Sequence, residues 1–224
     1  MGPMKQQSKD GSTHVTDESF NTASHMVGAI FALLGGVFLI VDAAMEGSLW
    51  RIISFSIYGL FLFLLFVASA LHHGVNAGPK TEHVLRQLDY LAIFPLIAGT
   101  YTPLCLIVLR GPLGWSVFGV IWALAIFGIA IKASMSSIPK WFTSTLYLAM
   151  GLMSLVLIIP LIRALPLTAI LLLILGGAFY VGGNVIFSLE KPNPVPGRFG
   201  FHEIWHLCVI AGALAHYVMI YIYV

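Results

Sequence analysis

Charge is scarce in this chain. Only 9% of its 224 residues are Asp, Glu, Lys or Arg, against about 25% in a soluble globular domain. With 59% hydrophobic residues as well, a water-soluble fold is excluded. Cysteine is nearly absent. The two present, Cys105 and Cys208, fall in different apolar segments and, by the topology below, on opposite membrane sides. Disulfide geometry cannot be met across that distance, so each is expected to be a small buried apolar residue. A cleavable signal peptide is not expected: the first 24 residues are polar, and the first apolar run is long enough to stay in the membrane. The apolar segments carry no repeated polar stripe to line an aqueous pore, which argues against a cytolytic channel.

What the chain has in abundance is apolar runs of about 20 residues, each sufficient to cross roughly 30 Å of hydrocarbon. Seven are predicted, at 25–45, 52–73, 88–109, 113–133, 141–161, 165–187 and 202–223. They are separated by breaks rich in charge, glycine and proline such as Gly78-Pro79-Lys80 and Arg110-Gly111-Pro112. The connections are too short for an additional soluble domain. The expected fold is an all-α integral membrane bundle of seven helices, with residues 1–17 as a flexible tail and 18–224 as one domain. Lys5, Lys9, Lys80, Arg86, Lys132, Lys140, Lys191 and Arg198 fall on one side, and Arg51, Arg110 and Arg163 on the other. Eight against three predicts a cytoplasmic N-terminus and an external C-terminus. Without the distant Lys5 and Lys9, six against three keeps the sign.

The polar residues collect at one end of this bundle. His202 and His206 stand four residues apart at the start of span 7, about one helical turn, so both rings project from one face and could share a metal ion. Each imidazole in so apolar a setting needs a polar partner. By parity the same membrane depth holds the end of span 2, Ser69-Ala70-Leu71-His72-His73, and the start of span 3, Leu88-Asp89-Tyr90. His72 and His73 compete as the third ligand. Three imidazoles from two helices with a carboxylate from a third leave a position for water, as in a catalytic zinc site rather than a closed structural one. Ser69, four residues before His73, could touch that water or a substrate carbonyl; its bland alternative is a bond back to a helix carbonyl. Asp89 is either a site residue or the N-cap of span 3.

His202-Glu203-x-x-His206 also matches the zinc-protease signature, in which the Glu is the general base. Glu203 is therefore a candidate base, with a solvated interfacial residue as the alternative. His216 lies ten residues beyond His206, about 15 Å along a helix, too far for the same metal. It falls roughly 40° from the His202 face and could line a deeper cavity. Ahead of span 1, Glu18, Asn21 and His25 share one helical side, with Ser24 as a cap, which suggests an amphipathic lead-in closing the cytoplasmic mouth. Gly35-Gly36, Gly176-Gly177 and Gly182-Gly183 are expected at close helix approaches. Tryptophans and tyrosines near span ends read as interfacial anchors.

Together, Glu18-x-x-Asn21-x-x-Ser24-His25, Ser69-x-x-x-His73, Leu88-Asp89-Tyr90 and His202-x-x-x-His206 resemble the bacterial hemolysin III branch of the progestin and adipoQ receptor family, over about residues 18–223. The family is itself similar to alkaline ceramidases. The resemblance implies Zn²⁺ held by His73, His202 and His206, so it selects His73 over His72, with Asp89 holding a zinc-bound water and Ser69 close by. It implies the same N-in topology, in a bacterial inner (plasma) membrane. The expected function is hydrolysis of a lipid amide or ester, ceramide-like by kinship, in membrane lipid homeostasis. Alternatives are a non-enzymatic membrane-state sensor with structural zinc and, with less support, a cytolytic hemolysin. Membrane lipids are the expected partners; nucleic acid is not. The large soluble N-terminal domain of animal adiponectin receptors is missing, so no soluble hormone is expected.

Overall fold

The seven crossings are present in the computed structural model, which describes residues 9, 12, 14–135 and 138–224. Lys5, used in the charge count, lies outside them. Helices make up 84% of the chain, and the described residues form no strands. In order they are α1 (Glu18–Met45), α2 (Leu49–Gly74), α3 (Pro79–Pro103), α4 (Pro112–Ser134), α5 (Lys140–Leu152), α6 (Ser154–Ala164), α7 (Leu167–Leu189) and α8 (Phe201–Tyr223). A π-turn, Leu104–Val108, completes span 3, and α5 with α6 forms span 5. The chain is a multi-pass integral membrane protein, and the odd number of crossings puts the two ends of the bundle on opposite faces.

Two helices begin earlier than the hydropathy pattern predicts. Helix α1 starts at Glu18 rather than residue 25, because Asp17 caps it: its Oδ1 accepts from Phe20 N at 3.0 Å. Helix α3 starts at Pro79, where proline at the first turn sacrifices no hydrogen bond. Its polar first turns, through Gln87, extend the helix beyond the apolar stretch. Asp89 is therefore ten residues inside α3, and capping is excluded as its role.

Packing rests on small residues where helices must touch. Gly36 of α1 and Gly59 of α2 meet backbone to backbone; a Cβ on Gly59 would sit 3.1 Å from Gly36 Cα. In the other two glycine pairs only one member is used. Gly176 lies under the His216 ring and Gly183 under Trp205 and Cys208, while Gly177 and Gly182 face open space. Span 5 is interrupted at Met153. The Tyr101 hydroxyl reaches the carbonyls there, 2.9 Å from Met150 O and 2.7 Å from Gly151 O, adding to the bonds that Met153 N makes to the same turn. Cys105 and Cys208 are free.

Candidate metal centre

Helix α8 is aimed by the loop before it. Glu190 ends α7 in a left-handed conformation, and Gly197, at φ 80°, turns a short Val195–Phe199 bridge. Asn193 Oδ1 then accepts from Phe201 N at 3.2 Å, while Glu203 Oε2 accepts from Gly200 N at 2.8 Å. These bonds satisfy the first amides of α8, so His202 and His206 enter the bundle one turn apart.

There they meet His73 from the last turn of α2. His202 Nε2 lies 3.3 Å from His73 Nε2 and 3.1 Å from His206 Nε2, and all three side chains are buried. Two nitrogens bound to one tetrahedral ion at about 2.0–2.1 Å stand about 3.3 Å apart. The donor set fits a metal ion on a second ground as well. Glu18 Oε2 is 2.5 Å from His73 Nδ1, which leaves Nε2 with its lone pair toward the other two rings. A carboxylate on the outer nitrogen of a metal-binding histidine fixes its tautomer and raises its basicity.

The remaining predicted residues divide. Ser69, buried one turn before His73, and Asp89 of α3 line a narrow cavity against His202 and His206. His72 lines the same cavity; its ring nitrogens, His73 and Asp89 form a second cluster within 4.8 Å. Glu203 does not face the trio. Beyond its Gly200 bond, its Oε1 accepts from Asp17 N at 2.6 Å and from Asn21 Nδ2 at 3.4 Å. Its two oxygens thus tie the start of α1 to the start of α8. His216 packs against α7: its Nε2 is 3.1 Å from Leu173 O and its ring fills the notch over Gly176.

The lead-in does more than the helical spacing alone implied. Glu18 reaches His73, Asn21 reaches Glu203, and the His25 ring lies over that of His206 with centroids 3.8 Å apart. Lys9 was unassigned at the sequence level beyond its charge. Its Nζ donates to His73 O at 2.9 Å and Val75 O at 2.8 Å, capping the C-terminus of α2. His14 packs edge-on against Phe201, and Phe20 against Phe199. At Lys9 and from His14 to Asp17, the stretch expected as a flexible tail is thus a strap across this end of the bundle. Its signal in the sequence was only the Glu18, Asn21, His25 spacing.

Comparison with known proteins identifies the family of this chain. Residues 13–217 match the family model described as "Haemolysin-III related". The chain is 38% identical over 210 residues to Hemolysin-3 of Bacillus cereus, covering 94% of this chain and 93% of that protein. It is 34% identical to a Hemolysin-3 homolog of Bacillus subtilis, covering 93% and 95%. The human Monocyte to macrophage differentiation factor is 29% identical, covering 83% and 80%.

Proposed function

Because this chain belongs to the haemolysin-III-related family of multi-pass membrane proteins, we propose that its histidine trio is a zinc centre hydrolysing an amide or ester of a membrane lipid. His73, His202 and His206 would hold the ion, which when bound supplies a positive charge that acidifies water and polarises a carbonyl. Asp89 is the proton acceptor. Its carboxylate lines the cavity beside the rings, and Ser69 lines the same cavity. Glu18 keeps His73 in one tautomer. Glu203 is structural, since backbone and amide donors occupy its carboxylate.

One observation supports the reading above the others: three imidazole nitrogens converge, and two of their rings, His202 and His206, share a cavity with the Asp89 carboxylate and the Ser69 hydroxyl, alongside apolar and aromatic side chains that include Leu65, Ile93, Phe187 and Val209. Such walls suit a lipid. The charge asymmetry supports a site on the cytoplasmic side of the membrane.

Elemental analysis of gently purified protein, paired with release of fatty acid from lipid amides and esters, tests this. About one zinc per chain is expected in the wild type and none in His202→Ala/His206→Ala. Asp89→Asn should keep the zinc and lose turnover. Zinc retained with cellular function intact in Asp89→Asn would instead favour a structural zinc in a membrane-state sensor, and turnover surviving metal loss would exclude the mechanism.

A further inference from the structure

The cavity beside His202 and His206 measures about 70 Å³, room for a few water molecules and too small for a whole lipid. It admits a reacting group and a water, so the rest of an amphiphile must lie beyond its rim. That rim carries a lysine. Lys132, two residues from the end of α4, lines the cavity with its Nζ 5.0 Å from the centre of the Tyr90 ring. Thr143 and Ser144 of α5 and Asn184 of α7 line the same cavity.

Lys132 has no carboxylate partner among the described residues. Its charged neighbour is another cation, Arg86 of α3. Asp89, the acid on the cavity wall, forms no ion pair with Lys132. An ammonium beside a like charge at the edge of an apolar bundle is costly unless an anion joins it. An aromatic face offsets only part of that cost.

We infer that Lys132, with Arg86, is the recognition point for the phosphate of an anionic lipid headgroup, which sits at the rim while the lipid's acyl linkage reaches toward Asp89. The role of the cavity rests on the hydrolase reading. The headgroup contact does not, because it is a binding property. Lysine serves here as a point charge for phosphate, and the hydroxyls and amide alongside supply neutral donors. Diacylglycerols and other uncharged amphiphiles lack the group it selects.

Equilibrium binding to detergent-solubilised full-length protein tests the inference with three probes: dioctanoyl phosphatidylglycerol, dioctanoylglycerol and inorganic phosphate. Lys132→Gln should weaken phosphatidylglycerol binding about tenfold and leave dioctanoylglycerol unchanged, with Lys132→Arg restoring most of the affinity. Inorganic phosphate should compete only weakly. Unchanged phosphatidylglycerol binding in Lys132→Gln, or equal loss of both lipids, would overturn the proposal. Phosphate binding as tightly as the lipid would overturn the lipid source. The His202→Ala/His206→Ala protein separates the two readings: charge-dependent lipid binding there, with no turnover in any protein, would refute the hydrolase and leave the headgroup contact standing.

Discussion

Glu18 and His73 are 55 positions apart in sequence and 2.5 Å apart in space, joined carboxylate to Nδ1. The first turn of α1 thereby supports a ring from the last turn of α2. Glu18→Gln should weaken metal binding about 10- to 100-fold, the usual consequence of losing a carboxylate behind a histidine ligand. Competition with a chromophoric chelator would measure it; unchanged affinity would make the contact incidental.

The strap is held from the opposite side. Glu203 binds Asp17 N and Asn21 Nδ2 as well as its own helix start. Glu203→Gln should speed proteolysis of the segment before Glu18 while zinc content stays at its wild-type level. A general-base role predicts the reverse pattern, an intact strap with turnover abolished.

His216 and Gly176 are packed so closely that any Cβ at Gly176 enters the imidazole. Gly176→Ala should destabilise the protein by about 1–3 kcal/mol, the usual cost of overpacking, seen as a lower thermal midpoint in detergent. Combining it with His216→Ala should recover part of the loss. Metal content should change in neither.

Tyr101→Phe removes the donor that serves the broken turn of span 5. The hydroxyl's one proton serves a turn that also accepts from Met153 N, so the loss is that of one hydrogen bond, about 0.5–1.5 kcal/mol. Hydrogen exchange around Met153 should rise with it. An unaltered exchange pattern would mean that the break is satisfied without Tyr101.

The spans and the His202–His206 pair were legible because both depend on local periodicity, whereas His73 was selected over His72 only by the family resemblance. Twenty apolar residues make a crossing, and four residues make one helical turn. Helix starts were less legible at α1 and α3, since hydropathy marks where the hydrocarbon begins and not where the hydrogen bonds do. Asp17 and Pro79 carry that second signal. The partners of Glu18, Glu203 and Lys9 depend on how the strap docks across three helices, a register that no local pattern encodes. The signature around Glu203 even pointed elsewhere, because the same spacing serves a helix start tied to a neighbouring segment.

Two of the three converging imidazoles come from α8, which is synthesised after the seven helices before it. Until it inserts, His73 stands alone with its carboxylate, and one imidazole would hold a metal ion only weakly. Under the proposed zinc reading, metal loading follows the insertion of α8. A chain stalled after α7 would lack two of the three ligands, and ion capture would act as a checkpoint that separates chains with α8 in place from those without it.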